Sequence, residues 1–428
     1  MALSLGFHII FACIGMAMPF LMATSHWLYL KRKQEKYLLL TKAWSKGVAI
    51  FFAVGAVSGT ALSFELGLLW PKFMIHAGPI IGMPFSWEGT AFFLEAIALG
   101  VFLYGWDRIS PRAHWLSGLL VGVMGVISAF FVICANAWMN SPAGFDWNNG
   151  NPINIDPWAA MFNEAALVQG VHMTVAAFES VGFAVAGVHA ILWLRHRYEL
   201  HQSAAKIAFA FAAVAALIQP LTGDWAAKSV ARRQPIKLAA MEGHFETESH
   251  APFILGGIPD TEEGKTHYAI KIPGLLSFLA FGRFDAEVRG LKAFPKTDWP
   301  PVLIVHLAFQ LMIALGTLLA LIGAWGLFRL WKKPEEGFSR PFMKLLAVCT
   351  PLAFIAMEAG WVVTEVGRQP WIIYGLQRTA DAVTPRPGIV FSFALYSFLY
   401  FFLAFVVTVL LIRQTKSLHR TLSQRRAA

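Results

Sequence analysis

Long apolar runs separated by short polar breaks set the rhythm of this chain. Nine runs are long enough, as helices, to cross a hydrocarbon layer about 30 Å thick, which takes roughly 20 residues. They cover residues 6–30, 47–69, 89–105, 116–137, 165–194, 207–222, 302–330, 345–366 and 389–412, and the third and sixth are the shortest. The pattern predicts an all-α fold, a polytopic membrane helix bundle of about nine transmembrane helices, forming a single membrane domain over residues 1–428. One stretch departs from it. Residues 224–300, between the sixth and seventh runs, are polar and mixed in charge. A loop of that length is functional or disordered. Its piece from Gln234 to Glu242 predicts a short helix with Lys237 and Glu242 near one another, most simply a solvated loop helix.

The polar breaks alternate in charge. Lys31, Arg32, Lys33 and Lys36 follow the first run, Arg108 and Arg112 the third, Arg195, Arg197 and Lys206 the fifth, and Lys332, Lys333, Arg340 and Lys344 the seventh. The tail carries Arg413, Lys416, Arg420, Arg425 and Arg426, whereas residues 138–164 hold no Lys or Arg. Short cytoplasmic loops collect Lys and Arg, so the N-terminus is expected outside and the C-terminus in the cytoplasm. Residues 224–300 are then extracytoplasmic.

Composition agrees. The chain is 57% hydrophobic and 14% charged, which excludes an ordinary soluble protein of 428 residues. The net charge of +10 lies largely in those short loops, so it points to membrane topology and not to nucleic acid. Cys13, Cys134 and Cys349 all fall inside apolar runs and suggest neither a disulfide framework nor a zinc site. No basic residue precedes the first run, so it does not read as a cleaved signal peptide.

The candidate chemistry gathers at one depth. EAGWVVTEVGRQPW at 358–371 carries Glu358 and Glu365 two helical turns apart on one face, followed by Arg368. A carboxylate inside a membrane costs roughly 2.5–3.5 kcal/mol and usually has a partner or a task. Alone, Glu365 and Arg368 would be as well explained by an interfacial ion pair. Yet His8, Glu65, Glu88, Glu95, Asn136, His172 and Met312 fall toward the same outer face, while His26 and His189 lie on the inner one. Imidazole and thioether ligate haem iron well, and a His/Met pair gives a six-coordinate electron carrier. No Cys-x-x-Cys-His run, Walker loop, zinc spacing or nucleotide fingerprint is present. The residues alone leave open a haem site with an iron free for a small molecule, a haem-bearing dehydrogenase that only passes electrons on, and a membrane transporter.

EVGRQPW at 365–371, WEGTAFFLE at 87–95, GWDR at 105–108, ANAWM at 135–139 and KLAAMEGHFET at 237–247 together resemble subunit I of cytochrome bd quinol oxidase. The resemblance runs from His8 to the last span. It implies a haem-containing quinol:oxygen oxidoreductase of a respiratory chain in a bacterial plasma (inner) membrane, electrogenic without pumping. By the same resemblance His172 and Met312 match the axial ligands of a low-spin haem b. His8 and Glu365 match ligands of a high-spin haem b and of a third haem, either haem d or another haem b. Glu88 and Glu95 match acids beside the oxygen-reducing pair, Glu95 and Ser128 match a proton path, and Arg368 follows Glu365 in the GRQPW motif. Lys237 and Glu242 match residues that handle the quinol, ubiquinol or menaquinol. A second large membrane subunit and small accessory subunits are the implied partners. Residues 224–300 resemble the family's quinol loop without its large insertion, the short-loop type, with the cyanide-insensitive branch as the expected subtype. Gln310 departs from the pattern, and Glu179 is an additional acid seven residues after His172, which extends a proton route or, the favoured reading, hydrogen-bonds within the bundle.

Overall fold

The computed structural model describes residues 1–148, 150–333, 336–385 and 387–427. Among these, nine helices are long and apolar enough to cross a membrane. Spans one to nine are Ala2–Arg32, Glu35–Leu69, Pro71–Tyr104, Pro111–Asn140, Ala166–His196, Glu199–Arg233, Val302–Lys332, Arg340–Val366 and Ile389–Ala427. All nine expected spans are present, and several are longer than their apolar runs, the third and sixth by most. Span three begins at Pro71 and not near residue 89, because Pro79 and Pro84 are accommodated inside the helix. Its first turns bury Phe73, Ala77, Ile80 and Ile81 in a cluster with Trp138 and Ile373. That spacing is helical, and polar neighbours such as Lys72 and His76 hid it. Span six runs through Arg233, so residues 224–233 are helix and not loop; Asp224 and Lys228 pair one turn apart at 2.6 Å.

Spans five and six pack closely because their faces are small. Ala204, Ala205, Ala208, Ala212 and Ala213 are fully buried. A Cβ on Gly182 would stand 2.7 Å from that of Ala212, so glycine lets the backbones meet. Small residues at the crossing are the usual means of helix association in lipid, where hydrophobicity provides no drive.

Residues 234–301 fold over one end of the bundle, called the loop end below. They hold the helix Pro235–Glu242, the paired strands Phe253–Leu255 with Ile270–Ile272 and Ile258–Asp260 with Lys265–His267, and the helix Leu275–Phe281. Ile236 to Glu242 are all buried, so the helix is not solvated as the sequence suggested. Span seven latches the fold. The His306 ring nitrogens lie 2.8 and 3.0 Å from the carbonyls of Met241 and Gly256. Gln310, the departure from the family pattern, bonds Gly256 and Ile254 at 2.9 Å each.

At the opposite, basic end a row of rings crosses four spans. Trp44 Nε1 donates to His189 Nε2 at 3.0 Å, His189 Nδ1 meets His201 Nδ1 at 2.9 Å, and His201 Nε2 meets His419 Nε2 at 2.9 Å.

Candidate functional site

The main cavity opens between spans four to eight under the helix Pro235–Glu242 and has a volume of about 480 Å³. His172 and Met312 line it from different spans, among walls that are chiefly apolar. His172 Nδ1 faces the Thr222 hydroxyl at 3.1 Å, which orients the ring, while the Gln219 amide lies 3.4 Å from both ring nitrogens and would yield Nε2 to a stronger ligand. A Cβ on Gly360 would stand 3.1 Å from the Met312 sulfur, so glycine there makes room for the thioether. Imidazole and thioether donors on one cavity, with the imidazole oriented from behind, fit an axially ligated haem iron. Glu179 also lines the cavity, but its Oε1 is buried without a partner among the described residues, against the expectation of hydrogen bonding within the bundle.

A second cluster joins this cavity to Glu365. Asn136 Nδ2 donates to Glu365 Oε1 at 2.5 Å, and Arg368 Nη2 to Glu365 Oε2 at 2.6 Å. Asn140 Nδ2 donates to Asn136 Oδ1 at 3.0 Å, and Lys237 Nζ to Asn140 Oδ1 at 2.7 Å. The expected ion pair therefore exists, but as one link in a network. Arg368 is buried, and its Nε and Nη1 find no partner among the described residues. Two free buried donors suit an acceptor brought by a ligand, such as the carboxylate of a haem propionate.

Lys237 and Glu242 share the cavity, yet Lys237 makes its contacts elsewhere, with Asn140 and the Thr364 carbonyl. The expected pairing fails because the helix turns the lysine toward span four. Burial, then the nearby Arg368 charge, push the Lys237 amine down to about 7, opposed by Glu365. Burial pushes the Glu242 carboxyl up to about 8, opposed by the Ile254 N–H, and its Oε2 has no partner among the described residues.

The remaining residues form separate groups. His8 packs between spans one and two, with Nδ1 2.9 Å from the Ser58 hydroxyl. A Cβ on Gly59 would lie 3.1 Å from its ring, so this imidazole too is cradled and oriented. Neither His8 nor Glu365 lines the main cavity. Ser128 donates to Glu88 at 3.3 Å, and the Glu95 carboxylate lies 3.4 Å from where a Cβ on Gly125 would stand, so both acids of span three address span four. Glu65 accepts from Ser4 and Tyr400 and serves to tie spans one, two and nine. Sequence reasoning missed Asn140, Ser58 and Thr222. Only the spacing of Asn136 and Asn140, one turn apart at a span end, hinted at the first of these.

Oriented imidazole and thioether donors at membrane depth place the chain among membrane-bound redox proteins. Residues 1–418 match the family described as cytochrome bd terminal oxidase subunit I. A Bacillus subtilis (strain 168) protein provisionally described as a cytochrome bd menaquinol oxidase subunit I is 38% identical over 95% of this chain and 93% of its own. The cytochrome bd ubiquinol oxidase subunit 1 of the same organism is 32% identical over 96% and 91%. The structure of bd oxidase from Geobacillus thermodenitrificans superposes with a TM-score of 0.90 at 38% identity, covering 97% of this chain and 96% of that one. The chain belongs to the cytochrome bd oxidase subunit I family. It is a multi-pass subunit of a respiratory quinol oxidase that reduces oxygen at the bacterial plasma membrane, and a cytochrome is a haem protein. This decides against the dehydrogenase and transporter readings.

Proposed function

We propose that the chain oxidises quinol at its loop end, outside the cytoplasm, and reduces oxygen with protons drawn from the basic, cytoplasmic end. The observation that carries this is one cavity shared by Lys237, Glu242, His172 and Met312. His172 and Met312 would hold a low-spin haem b, and His8 and Glu365 would hold the high-spin haem b and a third haem, d or b. Haem bound there would supply one-electron transfer and the reduction of oxygen. The chain's own residues do the rest. Glu242 takes the proton of a quinol hydroxyl, and a base near 8 is better suited to this than an ordinary carboxylate. Lys237 binds a quinol oxygen, and with its amine turned toward span four it addresses a different oxygen from Glu242. Glu95 of span three and Ser128 of span four carry protons to the oxygen-reducing pair, beside which Glu88, bonded to Ser128, also stands. The quinol is ubiquinol or menaquinol. A second large membrane subunit, with small accessory ones, completes the enzyme. The short stretch between Gly290 and span seven supports the short-loop type, and the cyanide-insensitive subtype goes with that reading.

Glu242→Ala tests the quinol site. Quinol oxidation should fall sharply, while oxygen consumption driven by an artificial donor that bypasses the loop stays near that of the parent. Glu242 works deprotonated, so quinol oxidation by the parent should rise as pH approaches about 8, and the variant should lose that limb. Equal losses with both donors would remove the loop from the mechanism.

A further inference from the structure

The hydrogen bonds around Asn140 have one direction. Lys237 Nζ donates to Asn140 Oδ1, Asn140 Nδ2 to Asn136 Oδ1, and Asn136 Nδ2 to Glu365 Oε1, at 2.7, 3.0 and 2.5 Å. Neither amide can be reversed. Turning Asn140 over would set its NH2 against an ammonium and its oxygen against another amide oxygen, and turning Asn136 over would set an oxygen against a carboxylate. Asn140 and Lys237 are buried from bulk solvent, at 3% and 4% exposure, and both line the main cavity. The Asn140 backbone is fixed independently, since Gln234 donates to its carbonyl at 2.8 Å.

We infer that Asn140 is the positioning residue that joins the quinol site to the haem-bearing carboxylate, holding Lys237 with its oxygen and, through Asn136, Glu365 with its nitrogen. This deepens the quinol-site reading of Lys237 and rests on it. No group between Lys237 and Glu365 titrates, so the chain transmits orientation and polarisation and moves no proton. A quinol that draws Lys237 away from Asn140 loosens the first link, and the remaining links pass the change to Glu365. The two ends of one side chain have separable tasks, which makes the inference testable.

Asn140→Leu removes both tasks at similar volume. Asn140→Asp keeps an acceptor for Lys237 and removes the N–H that Asn136 needs. In the assembled oxidase, Asn140→Leu should raise the KM for quinol about tenfold, the size expected for one buried link to a charged group. It should also shift the absorption of the haem held by Glu365. Asn140→Asp, which still holds Lys237, should be spared the tenfold rise in KM and show that same spectral shift. Haem content per protein, by pyridine haemochrome, verifies assembly. If the leucine variant does not accumulate, the isosteric aspartate variant decides alone. A parental spectrum in Asn140→Asp, or a KM change equal in both variants, overturns the inference. Lys237→Met separates the levels: parental quinol oxidation in that variant removes the quinol-site reading itself. Loss there with parental Asn140 variants removes only the joint.

Discussion

The two ends of this bundle treat buried polarity in opposite ways. At the basic end, the Trp44–His189–His201–His419 row satisfies its own contacts, one ring after another. At the loop end, charged groups are buried with atoms to spare: Arg368 Nε and Nη1, Glu242 Oε2 and Glu179 Oε1 have no partner among the described residues. Unpaired atoms of that kind cost about 1–3 kcal/mol each, and a fold retains them where a ligand completes them. The basic end has two such atoms of its own, His26 Nδ1 and Gln414 Oε1, but neither belongs to a carboxylate or a guanidinium. The difference teaches that burial alone does not mark a site; burial left incomplete does.

Three substitutions can break the comparison. The largest effect is expected from Glu365→Gln. It removes the charge facing Arg368 and should lower oxygen reduction by about a hundredfold, the scale for losing one preorganised electrostatic partner. The low-spin haem should still assemble, as its ligands lie in the other cluster. Retention of every haem with full oxygen consumption would return Glu365 to a plain ion pair. Met312→Leu comes next. Leucine nearly conserves volume, so the fold should persist, but loss of the thioether should move the low-spin band to a more negative potential in a redox titration. An unmoved midpoint would take Met312 out of the ligand set. The smallest effect belongs to the complete end. Trp44→Phe leaves His189 Nε2 without its donor and should cost roughly 1–3 kcal/mol in thermal unfolding, with quinol oxidase activity unchanged. Reduced turnover in a stably folded variant would show that this end also works in the reaction.

The spans were legible in the sequence because an apolar run near 20 residues, in a chain this poor in charge, fits little besides a membrane-crossing helix. Span ends were less so. Lys72 and His76 made the start of span three look like loop, and Asp224 with Lys228 did the same for the end of span six, although both segments are helical. The proposed ligand residues were visible through motif resemblance, since their types and order carry the family pattern. Lys237 and Glu242 were visible as residues, but their partners were not. Whether the loop helix faces water or the bundle depends on how residues 243–301 fold back over it, and nothing local to 234–242 encodes that. Asn140 was invisible for a related reason. An asparagine at a span end usually caps or meets water, and only the loop helix folded back onto span four gives it Lys237 and Gln234 as partners.

The histidine row carries a consequence for a membrane that holds a voltage. An indole can only donate, so Trp44 makes His189 Nε2 an acceptor and, with neutral rings, places that ring's hydrogen on Nδ1. The next two contacts follow in turn, and every hydrogen on the row points away from Trp44 toward His419. A proton arriving at the His419 end finds no lone pair free to pass it inward. A proton leaving there could be replaced only from the indole, which does not release one. The row is thus a one-way street closed at its far end. It can cross four spans at the basic end without conducting, in a protein where each charge that leaked back would dissipate about 2.3 kcal/mol per 100 mV.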